Sequence, residues 1–168
     1  MAVGIRVQDG PRELRAAVLA MKRADTQIRR DISQDMRTTM NPVWKQAVNQ
    51  HLTGSSRMEA RMLTPGVRIA PGNPPQLVAA SSRRKVGKNG LVPDVNAAGY
   101  EFGASDAVRT TISRKGKIYK RHVMRHLPAR RRAGYVVHPA AAQILPRIAA
   151  YWVQSIIRAF MDAAEGKD

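Results

Sequence analysis

The chain has no cysteine, which excludes disulfides and thiol nucleophiles. Acids are scarce too. Asp and Glu together number 12 in 168 residues, and they are too few and scattered to suggest the paired carboxylates of a general acid–base site. Histidine occurs four times, as His51, His122, His126 and His138. His122 and His126 stand four apart, the spacing of one helical face, but no acid or cysteine lies near them in sequence. Two ligands in a cationic neighbourhood fall short of the three or four that hold a zinc ion. No glycine-rich phosphate loop of the P-loop or dinucleotide type is present, and serines such as Ser55 and Ser56 have no evident partner base. No catalytic set, cofactor or metal is therefore expected. No apolar run approaches the ~20 residues of a membrane span. The stretch Met1 to Arg15 lacks the apolar core of a signal peptide. The expected setting is a cytoplasm-like compartment, away from membranes.

What the sequence has in plenty is positive charge. Lys and Arg number 29, for a net charge of +17 at pH 7. A balance of that size speaks of partners rather than of fold. The length suits one domain over 1–168, able to bury roughly two thirds of its unfolded surface. It divides into helices over 10–52, strands and loops over 55–103, a basic arm over 104–134, and a strand with a C-terminal helix over 135–164.

Residues 1–9 read as a tail or edge segment. Gly10-Pro11-Arg12-Glu13 reads as a helix start, with Pro11 at the first helical position. Leu14, Val18, Met21, Ile28, Ile32, Met36 and Met40 recur at helical spacings and predict one long helix, its stripe interrupted by Asp25. Its other face carries Arg15, Lys22, Arg23, Arg29, Arg30 and Arg37, which read as a solvated face. Asn41-Pro42 is expected to break or kink the helix. Trp44, Ala47, Val48 and Leu52 carry a second helical face, ending at Thr53-Gly54.

Arg57 to Leu63 alternates loosely, as a strand would. Val67 to Ala70 and Gln76 to Ser82 flank a Pro/Gly turn and predict an antiparallel pair. Ser81 to Gly90, with Arg83, Arg84, Lys85 and Lys88, reads as an exposed, mobile loop. In Gly99-Tyr100-Glu101-Phe102-Gly103, two aromatics alternate with one acid between glycines, which predicts a short half-buried strand. Tyr135-Val136-Val137 reads as a last strand. Pro139 then opens a final helix striped by Ile144, Ile148, Tyr151, Trp152, Ile156, Ala159, Phe160 and Ala163, with Pro146 kinking its first turns or delaying its start.

The segment from Arg109 to Arg132 stands apart. It holds Arg109, Arg114, Lys115, Lys117, Lys120, Arg121, Arg125, Arg130, Arg131 and Arg132, with His122 and His126 among them and no acid. Val108–Ser113 and Lys117–Lys120 predict a hairpin around Lys115-Gly116. Tyr119 is the one aromatic in this arm, so a base-stacking platform is not expected. Contact with a duplex phosphate backbone, or with an acidic protein, fits better. Together the elements predict an α+β fold. A long N-terminal helix and a C-terminal helix pack on a small, mainly antiparallel sheet that carries an extended basic arm.

The order of these elements, with Thr53-Gly54 after the first helices, Tyr100-Glu101-Phe102-Gly103, and Pro139-Ala140 at the last helix, resembles the neck or tail-completion proteins of long-tailed phages. That family includes the lambda minor tail protein Z. The positions that match its motifs are Thr53, Gly54, Tyr100, Glu101, Gly103, Pro139 and Ala140. The resemblance implies a virion structural protein at the head–tail junction, assembled in the host cytoplasm. It implies a hexameric ring between the head-closure or connector ring and the tail tube, near the packaged DNA. The related tail terminator is an alternative within the same junction. A stand-alone basic nucleic-acid-binding protein is the alternative outside it.

Overall fold

Asp25 divides what the spacing predicts as one long helix into two. In the computed structural model, which describes residues 3–6, 12–87, 90–105, 107–123 and 126–165, α1 runs Arg12–Arg23 and α2 runs Thr26–His51. Asp25 has extended backbone, and its carboxylate accepts the Thr26 N–H at the start of α2. A short acidic side chain at this point competes for donors that a helix start leaves open. The stripe was thus cut by a cap, not by a stray polar residue. Pro11, read as the helix opener, lies outside the described residues.

Of the break or kink predicted at Asn41-Pro42, the break does not occur: α2 runs through Pro42. A proline inside a helix costs about 3 kcal/mol. Packing outweighs it here. Met40 and Trp44 on either side are buried. Asn41, instead of capping an end, accepts the Ile69 N–H at 2.6 Å. Trp44 Nε1 donates to the Val78 carbonyl at 3.1 Å, so α2 is tied to the sheet at two points.

That sheet has strands β1 (Val3–Arg6), β2 (Arg68–Ala70) and β3 (Gln76–Ala79) in the order β1-β3-β2, all antiparallel. The β2–β3 pair falls where the sequence predicts it, with Ile69 opposite Leu77 and both buried. Part of the N-terminal segment is indeed an edge strand.

Two segments predicted as strands are helices. Arg57–Leu63 forms α3. Ser56 Oγ accepts the Glu59 N–H at 3.2 Å and the Glu59 carboxylate accepts the Ser56 N–H at 2.6 Å, a complete capping box. That reciprocal cap outranks the loose alternation behind it. Pro93–Phe102 forms α4 and contains Tyr100 and Glu101. Pro93 stands at its start, and the Val92 N–H donates to Asn96 Oδ1 at 2.9 Å. Ala97, Tyr100 and Glu101 are its buried face, spaced three and four apart as a helix requires.

The last predicted strand, Tyr135-Val136-Val137, is also absent. α5 starts at Val137, two residues before Pro139, and runs to Ala164 through Pro146. Ile144, Ile148, Trp152 and Ile156 bury its stripe as expected. The largest interface in the fold joins α5 to α2, and α1 also packs on α5. The sheet meets this pair through α2. Across the α2–α5 seam, Asp35 accepts Tyr151 and Ser155 hydroxyls, each at 2.8 Å. The protein is an α+β fold of five helices and two small antiparallel sheets among the described residues. The second sheet is β4 (Ala107–Ile112) with β5 (Ile118–Val123).

Candidate functional site

The β4–β5 hairpin is where the sequence predicts it, and its turn is built locally. The Ser113 N–H donates to the Lys117 carbonyl at 2.8 Å, and Gly116 turns with φ 76°. That sign of φ favours glycine. Among the described residues, the two strands pack mainly on each other. Arg109, Lys120 and Arg121 on the strands, and Arg114, Lys115 and Lys117 around the turn, are all exposed.

The register decides what each face offers. Arg109 lies directly opposite Arg121, and Thr111 opposite Tyr119. On the other face Val108 faces His122, Thr110 faces Lys120, and Ile112 faces Ile118. Like charges set opposite each other are destabilising by up to about 1 kcal/mol, and a lone two-stranded hairpin is marginal in water. His122 sits on a strand, so the predicted shared helical face with His126 does not exist. His126 instead tilts against the Tyr100 ring at 6.4 Å.

The second cationic group, Arg130, Arg131 and Arg132, lies on the loop leading to α5, and all three are exposed. This loop is fastened to the end of α4. The Ala104 N–H donates to the Pro128 carbonyl at 2.9 Å, the Arg131 N–H to the Phe102 carbonyl at 2.8 Å, and the Tyr135 N–H to the Glu101 carbonyl at 2.9 Å. The Arg131 guanidinium stacks over the Tyr135 ring at 5.4 Å.

Glu101 holds the whole arrangement. Its side chain is fully buried. One carboxylate oxygen accepts the N–H groups of Val136 at 3.2 Å and Val137 at 2.9 Å, and the other accepts that of His138 at 2.9 Å. These are the donors that the first turn of α5 leaves without partners, and a negative charge suits that helix end. Pro139 has no N–H to satisfy, and the Ala140 N–H already reaches the Val136 carbonyl at 3.1 Å. The accounting for the α5 start thus closes on Glu101, Pro139 and Ala140. Two glycines make room. A Cβ on Gly103 would lie 2.1 Å from the Ala129 carbonyl oxygen, and one on Gly134 would lie 2.2 Å from Glu101 Oε1. This contact of Glu101 with the start of α5 is a latch between α4 and α5. Tyr100, the residue before Glu101, packs in the core; its burial, helped by the Glu59 carboxylate, pushes the phenol above its ordinary pKa.

The remaining predicted residues lie elsewhere. Thr53 and Gly54 form the turn after α2, where Gly54 has φ 87°. Arg83, Arg84 and Lys85 are exposed on the loop entering α4, which a Val86–Leu91 bridge closes, and Arg83 lies 3.5 Å from Asp94. Lys88 and Arg125 lie outside the described residues. His51 meets Gln143 at 3.1 Å, an amide and not a carboxylate. Among the described residues no three of His, Cys, Asp and Glu come together as a metal site would require.

The face predicted to be solvated is so: Arg15, Lys22, Arg23, Arg29, Arg30 and Arg37 are all exposed. Part of it, Thr26, Arg29, Arg30, Ser33, Gln34 and Arg37, also lines an open groove of about 490 Å³ against Pro71. The helical spacing of those arginines was visible; the wall opposite them, brought in by the β2–β3 turn, was not. No protein-family model, curated protein or solved structure matches the chain.

Proposed function

We propose that this chain is a structural protein of a phage head–tail junction, a neck or tail-completion protein that forms a ring between the head-closure ring and the tail tube. The observation that carries the reading is the latch. Glu101, one of the positions behind the family resemblance, caps the start of the helix that Pro139 and Ala140, two more of them, open. In this reading the latch sets the start of α5 and presents Arg130, Arg131 and Arg132. The detached hairpin reaches for neighbours: other copies, the connector, the tail proteins, or the packaged DNA. No step of chemistry is assigned to any residue. A tail terminator of the same junction would use the same features.

The Arg109–Arg121 pair favours one other reading, a stand-alone protein that binds duplex DNA by its phosphates. Native mass spectrometry at rising protein concentration, with and without duplex DNA, separates the two. The ring reading predicts one closed oligomer, hexameric by the resemblance, or a monomer that assembles only on its neighbours, and in either case duplex binding no tighter than the roughly 10⁻⁴–10⁻⁶ M of non-specific contact. A monomer or dimer that binds duplex at nanomolar concentration would support the alternative instead.

A further inference from the structure

We infer that the β4–β5 hairpin of one copy docks its apolar face into the groove between α1 and α5 of a second copy. The inference rests on the ring-forming reading and names the two surfaces that close the ring.

The groove is about 560 Å³ and open to the surface. Its walls are apolar: Ala16 and Ala20 from α1, and Val153, Ile157, Phe160 and Met161 from α5. Ile157 and Met161 are 53% and 57% exposed, on helices that otherwise pack well. The groove is thus an apolar recess of a size that a pair of side chains from a partner can fill. The hairpin shows the matching defect. Val108, Ile112 and Ile118 share one face, and they are 52%, 67% and 67% exposed. Ile112 and Ile118 sit opposite each other next to the turn, so the apolar end is also the end that reaches furthest along the strands.

Charge selects the pairing. At +17, two copies of this chain repel over most of their surfaces. Glu13 is the one charged residue among those lining the groove. Lys120 lies on the same hairpin face as Ile112 and Ile118. With the isoleucines in the groove, Lys120 is the cation placed to meet Glu13. The two surfaces differ, so the contact is head-to-tail. A contact of that kind closes into a ring when its rotation permits.

The absence of native cysteine makes the test direct. Ile118→Cys and Ile157→Cys are made as separate single variants, mixed, and oxidised gently. Docking brings the two backbones within the roughly 7 Å that a disulfide spans, and it predicts a cross-link between the two different chains. Ile118→Asp is expected to weaken self-association at least 100-fold in native mass spectrometry, with the thermal unfolding midpoint unchanged at protein concentrations where both proteins are monomeric, because the hairpin lies outside the core. Lys120→Glu should weaken association, and Glu13→Lys added to it should restore it. A ring that survives Ile118→Asp and yields no mixed cross-link overturns the docking but leaves the ring reading standing. A chain that is monomeric and uncross-linked at every concentration overturns the docking, and one that also binds duplex at nanomolar concentration overturns both.

Discussion

Glu101→Ala is expected to lower stability by about 3–5 kcal/mol, since it leaves several buried backbone donors without an acceptor. For a chain of this length that corresponds to a fall of roughly 6–20 °C in the melting midpoint. Val136, Val137 and His138 lose their common partner at once, and no later residue of α5 can supply it. Glu101→Gln should cost less. It keeps one acceptor oxygen but turns an NH₂ group toward N–H groups. Gly134→Ala attacks the same contact from the other side, with a Cβ 2.2 Å from Glu101 Oε1 on a backbone whose φ is 72°. The double variant Glu101→Ala with Gly134→Ala should be less destabilised than the sum, because both changes break one contact. Chemical denaturation of the four proteins measures this. A loss below about 1 kcal/mol for Glu101→Ala, the scale of a single ordinary cap, would show that the helix start does not depend on the carboxylate.

The second large effect is on polyanion binding. Replacing Arg109, Lys120, Arg121, Arg130 and Arg132 with alanine removes five exposed cations from the hairpin and loop. Each phosphate contact contributes about 0.9 to the slope of log affinity against log salt. The slope for non-specific duplex should therefore fall by about 4.5, so that affinity becomes roughly 500-fold less sensitive to a change from 50 to 200 mM salt. Arg131 is left in place because it stacks on Tyr135. Stability should stay within about 0.5 kcal/mol, as for exposed substitutions generally, and loss of the Arg109–Arg121 opposition should help the hairpin slightly. An unchanged slope would move any nucleic-acid contact elsewhere, with the arginine groove on α2 the first place to look.

The parts of this fold that were legible in sequence are those decided by local pattern. The stripes of α2 and α5, the β2–β3 pair and the cationic hairpin all follow from spacing and turn residues. The failures have separate causes. At Pro42 the helix continues, with buried Met40 and Trp44 on either side, a term that spacing alone does not weigh, and α5 starts before Pro146 and runs through it. Val136 and Val137 look like strand residues. Their conformation is set by a carboxylate 35 and 36 positions earlier in the chain. The Tyr100 segment is too short for alternation to be told from helical spacing, and the decisive signals, Pro93 and Asn96, lie upstream of it. In α3 the signal was present as Ser56-x-x-Glu59 and was outweighed by a weaker one. For the candidate site, the cations were readable residue by residue. The apolar face of the hairpin needed the register, and the α1–α5 groove needed the tertiary fold.

The central claim is that the hairpin exists to hold a companion, and amide hydrogen exchange tests it most directly. In the free protein, the amides of 107–123 should exchange near the rate of an open chain, while those in the α2–α5 core stay protected. In the assembled oligomer the hairpin amides should slow by at least tenfold, with the core little changed. Equal protection of the hairpin in both states would contradict the account.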